Sequence, residues 1–135
     1  MKKVKVNVAK TEKGYCASLD IIDGLVIAVS GSFVELKHEV IESIEFYKDC
    51  AKKDNETYPA VFDGLYELEY KFTVESLLNF YKKIIGFSAM ELLTGINQRQ
   101  LNHYACGRSK PLPKQAKKIE NAFHQLGKDL LAVSV

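Results

Sequence analysis

A group of side chains in the last third of the chain has the types and spacing to hold a nucleic acid. Gln98, Arg99, Asn102 and His103 lie close together, followed by Arg108, Ser109 and Lys110 in the run Gly107-Arg-Ser-Lys-Pro-Leu-Pro113. Gln and Asn make paired hydrogen bonds to adenine and Arg does the same to guanine, while an outward His donates or accepts at a base edge or touches phosphate. The basic loop supplies donors that suit phosphate oxygens, which fix register and carry no sequence information. The first four share the outer face of one helix if Ile96, Leu101 and Tyr104 take the inner one. Near the N-terminal end of a helix lying in the major groove, such residues meet base edges. The plainer reading of the same residues is a helical hairpin whose polar side is only solvated.

Positioning that face takes two helices and a corner. The pattern predicts a short helix through residues 89–94, then a turn at Gly95, where a residue without Cβ takes the positive φ of a tight corner. Asn97 then caps a second helix, and Gln100, three residues on, is placed to return the hydrogen bond as in a capping box. For the first helix two starts are open. Ser88-x-x-Glu91 reads as a capping box with Phe87 and Leu92 as its hydrophobic staple, which leaves Glu91 at a solvated edge. Alternatively Gly86 is the cap and Glu91 is accommodated within the packing of the two helices.

Around this pair, Thr73 is expected to cap a helix over 74–85 with Leu77, Leu78, Tyr81, Ile84 and Ile85 inward and Lys82 and Lys83 outward. Pro113 suits the first position of a last helix, with Ala116, Ile119, Ala122, Phe123 and Leu126 inward and an end at Gly127. The tail DLLAVSV is apolar and β-leaning, open to pairing with another chain or folding back on this one. The turn glycine, Ile96 one later, Leu101, Tyr104 and Gly107 before a basic loop resemble the Cro/repressor-like family of DNA-binding helix-turn-helix domains. Glu91 departs from it, standing where that family usually has a small residue. The resemblance implies an all-α domain that binds double-stranded DNA, with Gln98, Arg99, Asn102 and His103 reading bases and Arg108, Ser109 and Lys110 on phosphate.

The first half is patterned differently. Val4, Val6 and Val8 alternate with Lys5 and Asn7, the period of a strand with one buried face. Thr11 to Gly14 punctuates the chain, residues 15–19 read as a second strand, and Asp23-Gly24 leads into a third over 25–29. Ser32-x-x-Glu35 opens a helix over 33–51 with Phe33, Leu36, Val40, Ile44, Tyr47 and Ala51 at helical spacing. After a polar loop at 52–60, Tyr66, Leu68, Tyr70 and Phe72 alternate with charged residues as a fourth strand. The order β-β-β-α-β makes an α+β domain, a helix on one face of a mainly antiparallel sheet. The expected division is 1–72 and 73–135. A strand, Gly14-Tyr15 entering a second strand, a third strand, a Ser-capped Glu-rich helix, a further strand and a helix-turn-helix together resemble HicB, the antitoxin of HicA–HicB pairs. That resemblance implies a curtailed RNase H-like N-terminal domain that covers a HicA-like toxin, and a C-terminal domain that binds the operon's promoter. Family members commonly carry a Pro-Gly-Cys-like turn where this chain has Asp20-Ile-Ile-Asp-Gly-Leu25.

Charge separates the halves. Residues 1–75 hold 10 Lys against 14 Asp and Glu, a net of −4, and residues 76–135 hold 9 Lys and Arg against 3 Asp and Glu, a net of +6. Such a split suggests a nucleic-acid-facing module joined to one with another partner. Lys82, Lys83, Lys114, Lys117 and Lys118 contribute to the cationic half without marking which of them meets phosphate. Cys16, Cys50 and Cys106 are odd in number and widely spaced, so neither a disulfide framework nor zinc is indicated, and a reducing cytoplasm is expected. No apolar run approaches the ~20 residues of a membrane helix. His38 and His124 have no Cys or His at ligand spacing, and neither metal nor cofactor is expected. An enzyme reading would collect Asp20, Asp23, Asp63 and Glu67 around two metal ions as a nuclease does, although such carboxylates are usually solvated loop ends. The expectation is therefore a non-enzymatic regulator, working as a homodimer on a palindrome. It would bind DNA and a HicA-like toxin, with a free-standing repressor as the alternative.

Overall fold

The alternating N-terminus becomes β1 (Lys2–Lys10), whose Val4, Val6 and Val8 are buried, in a computed structural model that describes residues Met1–Val135. β2 (Tyr15–Leu19) and β3 (Val26–Val29) follow as antiparallel neighbours, with Val8 opposite Ala17 and Ala17 opposite Ile27. β4 (Tyr66–Phe72) returns on the far side of β1 and runs parallel to it, Val4 opposite Leu68 and Val8 opposite Phe72. The sheet order is β3-β2-β1-β4. A parallel pair needs a crossover, and the helix α1 (Phe33–Lys53) lies within it. Ser32 caps α1 by accepting from the Glu35 N–H at 3.3 Å. Leu36, Val40, Ile44 and Ala51 form its buried stripe. Leu36, Val40 and Ile44 join Val4, Val6, Val8, Ala17, Leu19, Ile22, Ile27 and Phe62 in one core against one face of the sheet, leaving Lys3, Lys5, Glu67 and Lys71 on the other side exposed. Phe33, Tyr15, Tyr70 and Phe72 close one end with ring centroids 5.2–6.1 Å apart.

Several local expectations shift. β3 starts at Val26 instead of residue 25, and α1 runs to Lys53, two residues into the stretch expected as loop. A 3₁₀ turn at Ala60–Asp63 buries Phe62 before β4, and no sequence pattern predicts it. Gly14 does more than punctuate the β1–β2 turn. A Cβ there would run into the Val29 carbonyl oxygen, so the β2 entrance and the end of β3 approach as closely as only glycine permits.

The chain divides into two compact units, Met1–Thr73 and Val74–Val135. The second is helical throughout: α2 (Val74–Tyr81), α3 (Phe87–Thr94), α4 (Gln98–Ala105) and α5 (Pro113–Leu131). Its core is Leu78, Met90, Ile96, Leu101, Tyr104, Ala105 and Ile119, with Val74, Tyr81, Ile85, Phe87 and Phe123 packed around it. α2 is shorter than the apolar pattern predicts. Regular helix stops at Tyr81 and residues 82–85 continue as tight turns, with both Ile84 and Ile85 N–H donating to the Tyr81 carbonyl, so Ile84 turns outward and is 68% exposed. α5 passes through Gly127, which does not end it, and three residues of the β-leaning tail, Asp129, Leu130 and Leu131, are helical. The protein is a mixed α+β chain of one four-stranded sheet and five α-helices.

Candidate nucleic-acid interface

The corner between α3 and α4 is built by three adjacent residues. Gly95 adopts φ 75° and ψ 6°, the left-handed region that an L side chain resists, and its N–H closes on the Glu91 carbonyl at 2.8 Å. Thr94 Oγ1 donates back to the Met90 carbonyl at 2.7 Å and accepts from the Ile96 N–H at 3.1 Å. Ile96, 4% exposed, then drops into the core and fixes where the chain leaves the turn. Asn97 stands extended (φ −66°, ψ 155°) and its Oδ1 accepts from the Gln100 N–H at 2.8 Å, so α4 is capped as its sequence predicts.

Of the two starts open for α3, the structure has the glycine start. Gly86 (φ 78°, ψ 156°) is its cap residue, while Ser88 is exposed and Leu92 is 86% exposed, so neither the Ser88 box nor the Phe87–Leu92 staple forms. The physical reason lies with Glu91. Its Oε1 accepts from the Gln98 N–H at 3.2 Å, serving an amide that has no partner within α4. The half-buried carboxylate also sits where the α4 dipole is positive. Gln100 differs from expectation as well. Its amide does not return to Asn97; Nε2 donates to Ser109 Oγ at 3.1 Å.

That hydrogen bond ties the basic loop to α4. Behind it, Gly107 takes φ 75°, the Arg108 N–H reaches the His103 carbonyl at 2.9 Å and the Gly107 N–H reaches that of Tyr104 at 3.4 Å, the paired bonds of a Schellman ending. Asn79 Nδ2 of α2 donates to the Ala105 carbonyl at 2.5 Å, which occupies one of the last four acceptors of α4. Both ends of this eight-residue helix are held from outside it.

With Leu101 fully buried and Tyr104 at 6%, the outward residues of α4 are Gln98, Arg99 and Asn102, all exposed, while His103 is half-buried. Arg108 and Lys110 are exposed and Ser109 is half-buried against Gln100. The structure therefore brings the loop beside the first turn of α4. It keeps His103 more as a backbone anchor, its carbonyl accepting from Arg108, Ser109 and the Cys106 thiol. No side chain caps α5, whose first turn carries Pro113 and exposed Lys114. α4 contains no carboxylate. The residues missed by sequence pattern are Glu91, Gln100 and Asn79, which position the face without belonging to it. Gln100 and Glu91 carried local signals, their spacings from Asn97 and Ser88, which pointed to other partners; Asn79 carried none.

The other candidate residues are scattered. Asp20 accepts from Asn7 Nδ2 at 2.7 Å, while Asp63 accepts from the Tyr58 hydroxyl at 2.7 Å with Lys48 Nζ at 4.0 Å. The hydrogen bond to the Asp63 carboxylate raises the Tyr58 hydroxyl above its ordinary pKa. Asp23 and Glu67 are exposed, and no three His, Cys, Asp or Glu side chains are placed to share a metal ion. His38 pairs with Glu42 at 3.0 Å on α1, and His124 is exposed on α5. All three cysteines are free thiols, Cys106 the exposed one. No helix is long and apolar enough to cross a membrane. No protein-family model, curated protein or solved structure matches the chain.

Proposed function

We propose that the protein is a HicB-like antitoxin and transcriptional regulator, whose Val74–Val135 unit binds operator DNA as a helix-turn-helix and whose Met1–Thr73 unit binds a HicA-like toxin. The observation that carries the DNA reading is the corner at Gly95 followed by a doubly capped helix with Gln98, Arg99 and Asn102 open to solvent. The basic loop is tied to it through Gln100 and Ser109. In this reading α4 enters the major groove with Gln98, Arg99 and Asn102 at base edges. His103 is half-buried and would reach only the groove's margin. Arg108, Ser109 and Lys110 hold the adjoining phosphates, helped by the uncapped amides of α5. The excess of cations in residues 76–135 supplies affinity independent of sequence.

The toxin reading is supported by the order β3-β2-β1-β4 with β4 parallel to β1, an order that fits the curtailed RNase H-like sheet implied by the resemblance to HicB. One such helix-turn-helix covers one half-site, so the working form is a dimer on a palindrome.

Binding titrations of the full chain on the duplex upstream of its own gene, and on a scrambled duplex of equal length, test the proposal. The expected result is a preference for the upstream duplex that survives a rise in salt; equal affinities at every salt concentration overturn the DNA reading. The toxin reading is tested separately by co-purification with the product of an adjacent small gene. Capture by Val74–Val135 and not by Met1–Thr73 overturns it, and the lack of such a gene leaves the free-standing repressor. Magnesium-dependent cleavage of RNA or DNA by the purified chain would instead support the nuclease.

A further inference from the structure

The two edges of the sheet are unequal. β3 ends it with four residues, too short to template much pairing, whereas β4 ends it with seven and contains neither proline nor glycine. β4 pairs only with β1, and no backbone hydrogen bond leaves its other side. The surface beside this edge is apolar on the covered face. Tyr66, Leu68, Tyr70 and Phe72 pack against the core yet stay half-exposed. Lys37 Nζ stands 5.6 Å from the Tyr70 ring, which places that flank of α1 above β4, and Ile41 one turn further is 51% exposed. Charges on the open face ordinarily keep a second strand away. Here they are Glu67, Glu69 and Lys71, with Lys71 Nζ 3.1 Å from Glu69 Oε1.

We propose that β4 pairs antiparallel with β4 of a second copy of this chain about a two-fold axis at Tyr70, joining two sheets into one. A two-fold pairing sets residues of the same face opposite each other, so the axis must pass through a residue. At Leu68 it would place Glu67 opposite Glu69 of the second copy, and at Glu69 it would set Glu67 opposite Lys71 twice but place Glu69 opposite itself at the axis, where the two chains are closest. Like charges directly opposite are destabilising. At Tyr70 it places Glu69 opposite Lys71 of the second copy, twice by symmetry, with Leu68 opposite Phe72 on the covered face and no like pair anywhere. The charges that would repel a second strand in the neighbouring registers select this one. Pairing also covers Leu68, Tyr70 and Phe72 and the exposed Ile41 flank, and it satisfies the open backbone groups along residues 68–72. It rests on the sheet alone and does not depend on what Val74–Val135 binds.

The test uses the full chain without DNA or any partner, by sedimentation equilibrium across the micromolar range. Wild type is expected to dimerise. Glu69→Lys and Lys71→Glu each turn two attractive pairs into two repulsive ones and are expected to raise the dimer Kd by about tenfold or more. An equimolar mixture of the two variants is expected to recover the wild-type Kd, because in the mixed dimer every introduced charge again faces its opposite. Circular dichroism of each variant checks that the fold persists, and recovery in the mixture is an effect that a merely misfolded variant cannot produce. A wild-type chain that stays monomeric overturns the proposal and leaves the edge to a strand of another protein. Variants with unchanged Kd, or a mixture no tighter than its components, overturn it as well.

Discussion

In Met1–Thr73 two local antiparallel pairings are closed by one between distant segments: β1 pairs with β4 across some sixty residues, and α1 spans 21 residues between them. In Val74–Val135 the helices α2, α3 and α4 have eight residues each, with α2 packed on α4 across α3, and α3 packed on α4 and α5. Helices of that length do not persist alone in water. α4 exists because Leu101 and Tyr104 are buried, because Asn97 and Glu91 satisfy its first amides, and because Asn79 satisfies one of its last carbonyls. The polar residues of α1 line a helix held by its own length and by the sheet. Those of α4 line a face whose direction is set wholly by packing and capping, so changes behind that face should alter the proposed DNA binding without touching it.

The largest expected effect separates the two units. Leu101→Ala leaves a cavity in the helical core and should cost about 2–5 kcal/mol there, as Ile44→Ala should in the sheet unit. Amide hydrogen exchange is the measurement. Leu101→Ala should abolish protection across α2–α5 and spare β1, with the reverse for Ile44→Ala; loss of protection throughout the chain from either variant would show one cooperative body.

Next in size is the contrast within the proposed DNA-binding face. Arg99→Ala should cost ~1–3 kcal/mol on the upstream duplex and much less on a scrambled one. Lys110→Ala should weaken both about equally and lower the salt slope by about one unit for each phosphate left without its cation. The opposite pattern in the same titrations would show that a surface other than the outer face of α4 meets the major groove.

A smaller effect isolates the support of α4. Removing the acceptor with Glu91→Ala should cost the helical unit about 1 kcal/mol in urea unfolding, whereas Glu91→Gln keeps an acceptor and should cost only about a few tenths. Equal losses would make the charge, and not the hydrogen bond to Gln98, the stabilising feature.

The smallest effect belongs to the sheet unit. Burial raises the Tyr66 hydroxyl above its ordinary pKa, with the charge of Glu45 adding to it, and burial does the same for Tyr70. A group whose folded pKa is raised contributes stability below its unfolded value of about 10, and that contribution is lost as pH rises through the folded value. An ultraviolet titration should show tyrosines ionising late, with Tyr66→Phe and Tyr70→Phe each removing part of that fraction. A late fraction unchanged in both variants would place the raised groups elsewhere.

What the amino-acid sequence by itself determined is what near neighbours decide. Ser32 and Asn97 accept from amides three residues on, Gly95 takes a φ that other residues resist, and the valines of β1 alternate with the period of a strand. The apolar stripe Leu101 and Tyr104 follows from helical spacing in the same way. Tertiary structure decided the rest, because the competing local options differ by little until a distant partner arrives. Ser88 and Gly86 both offered a start for α3, and the choice went with Glu91 reaching the Gln98 amide seven residues away. Gln100 had Asn97 at hand and went to Ser109. Gly127 resembled a helix end, yet glycine inside a helix costs only about 1 kcal/mol. The Gln125 amide donates to Asp129 at 2.9 Å across that position, and α5 continues. The parallel β1–β4 pairing, which leaves a seven-residue edge free, is the furthest from any local signal: alternation says which face of a strand is buried and nothing about which strand lies beside it.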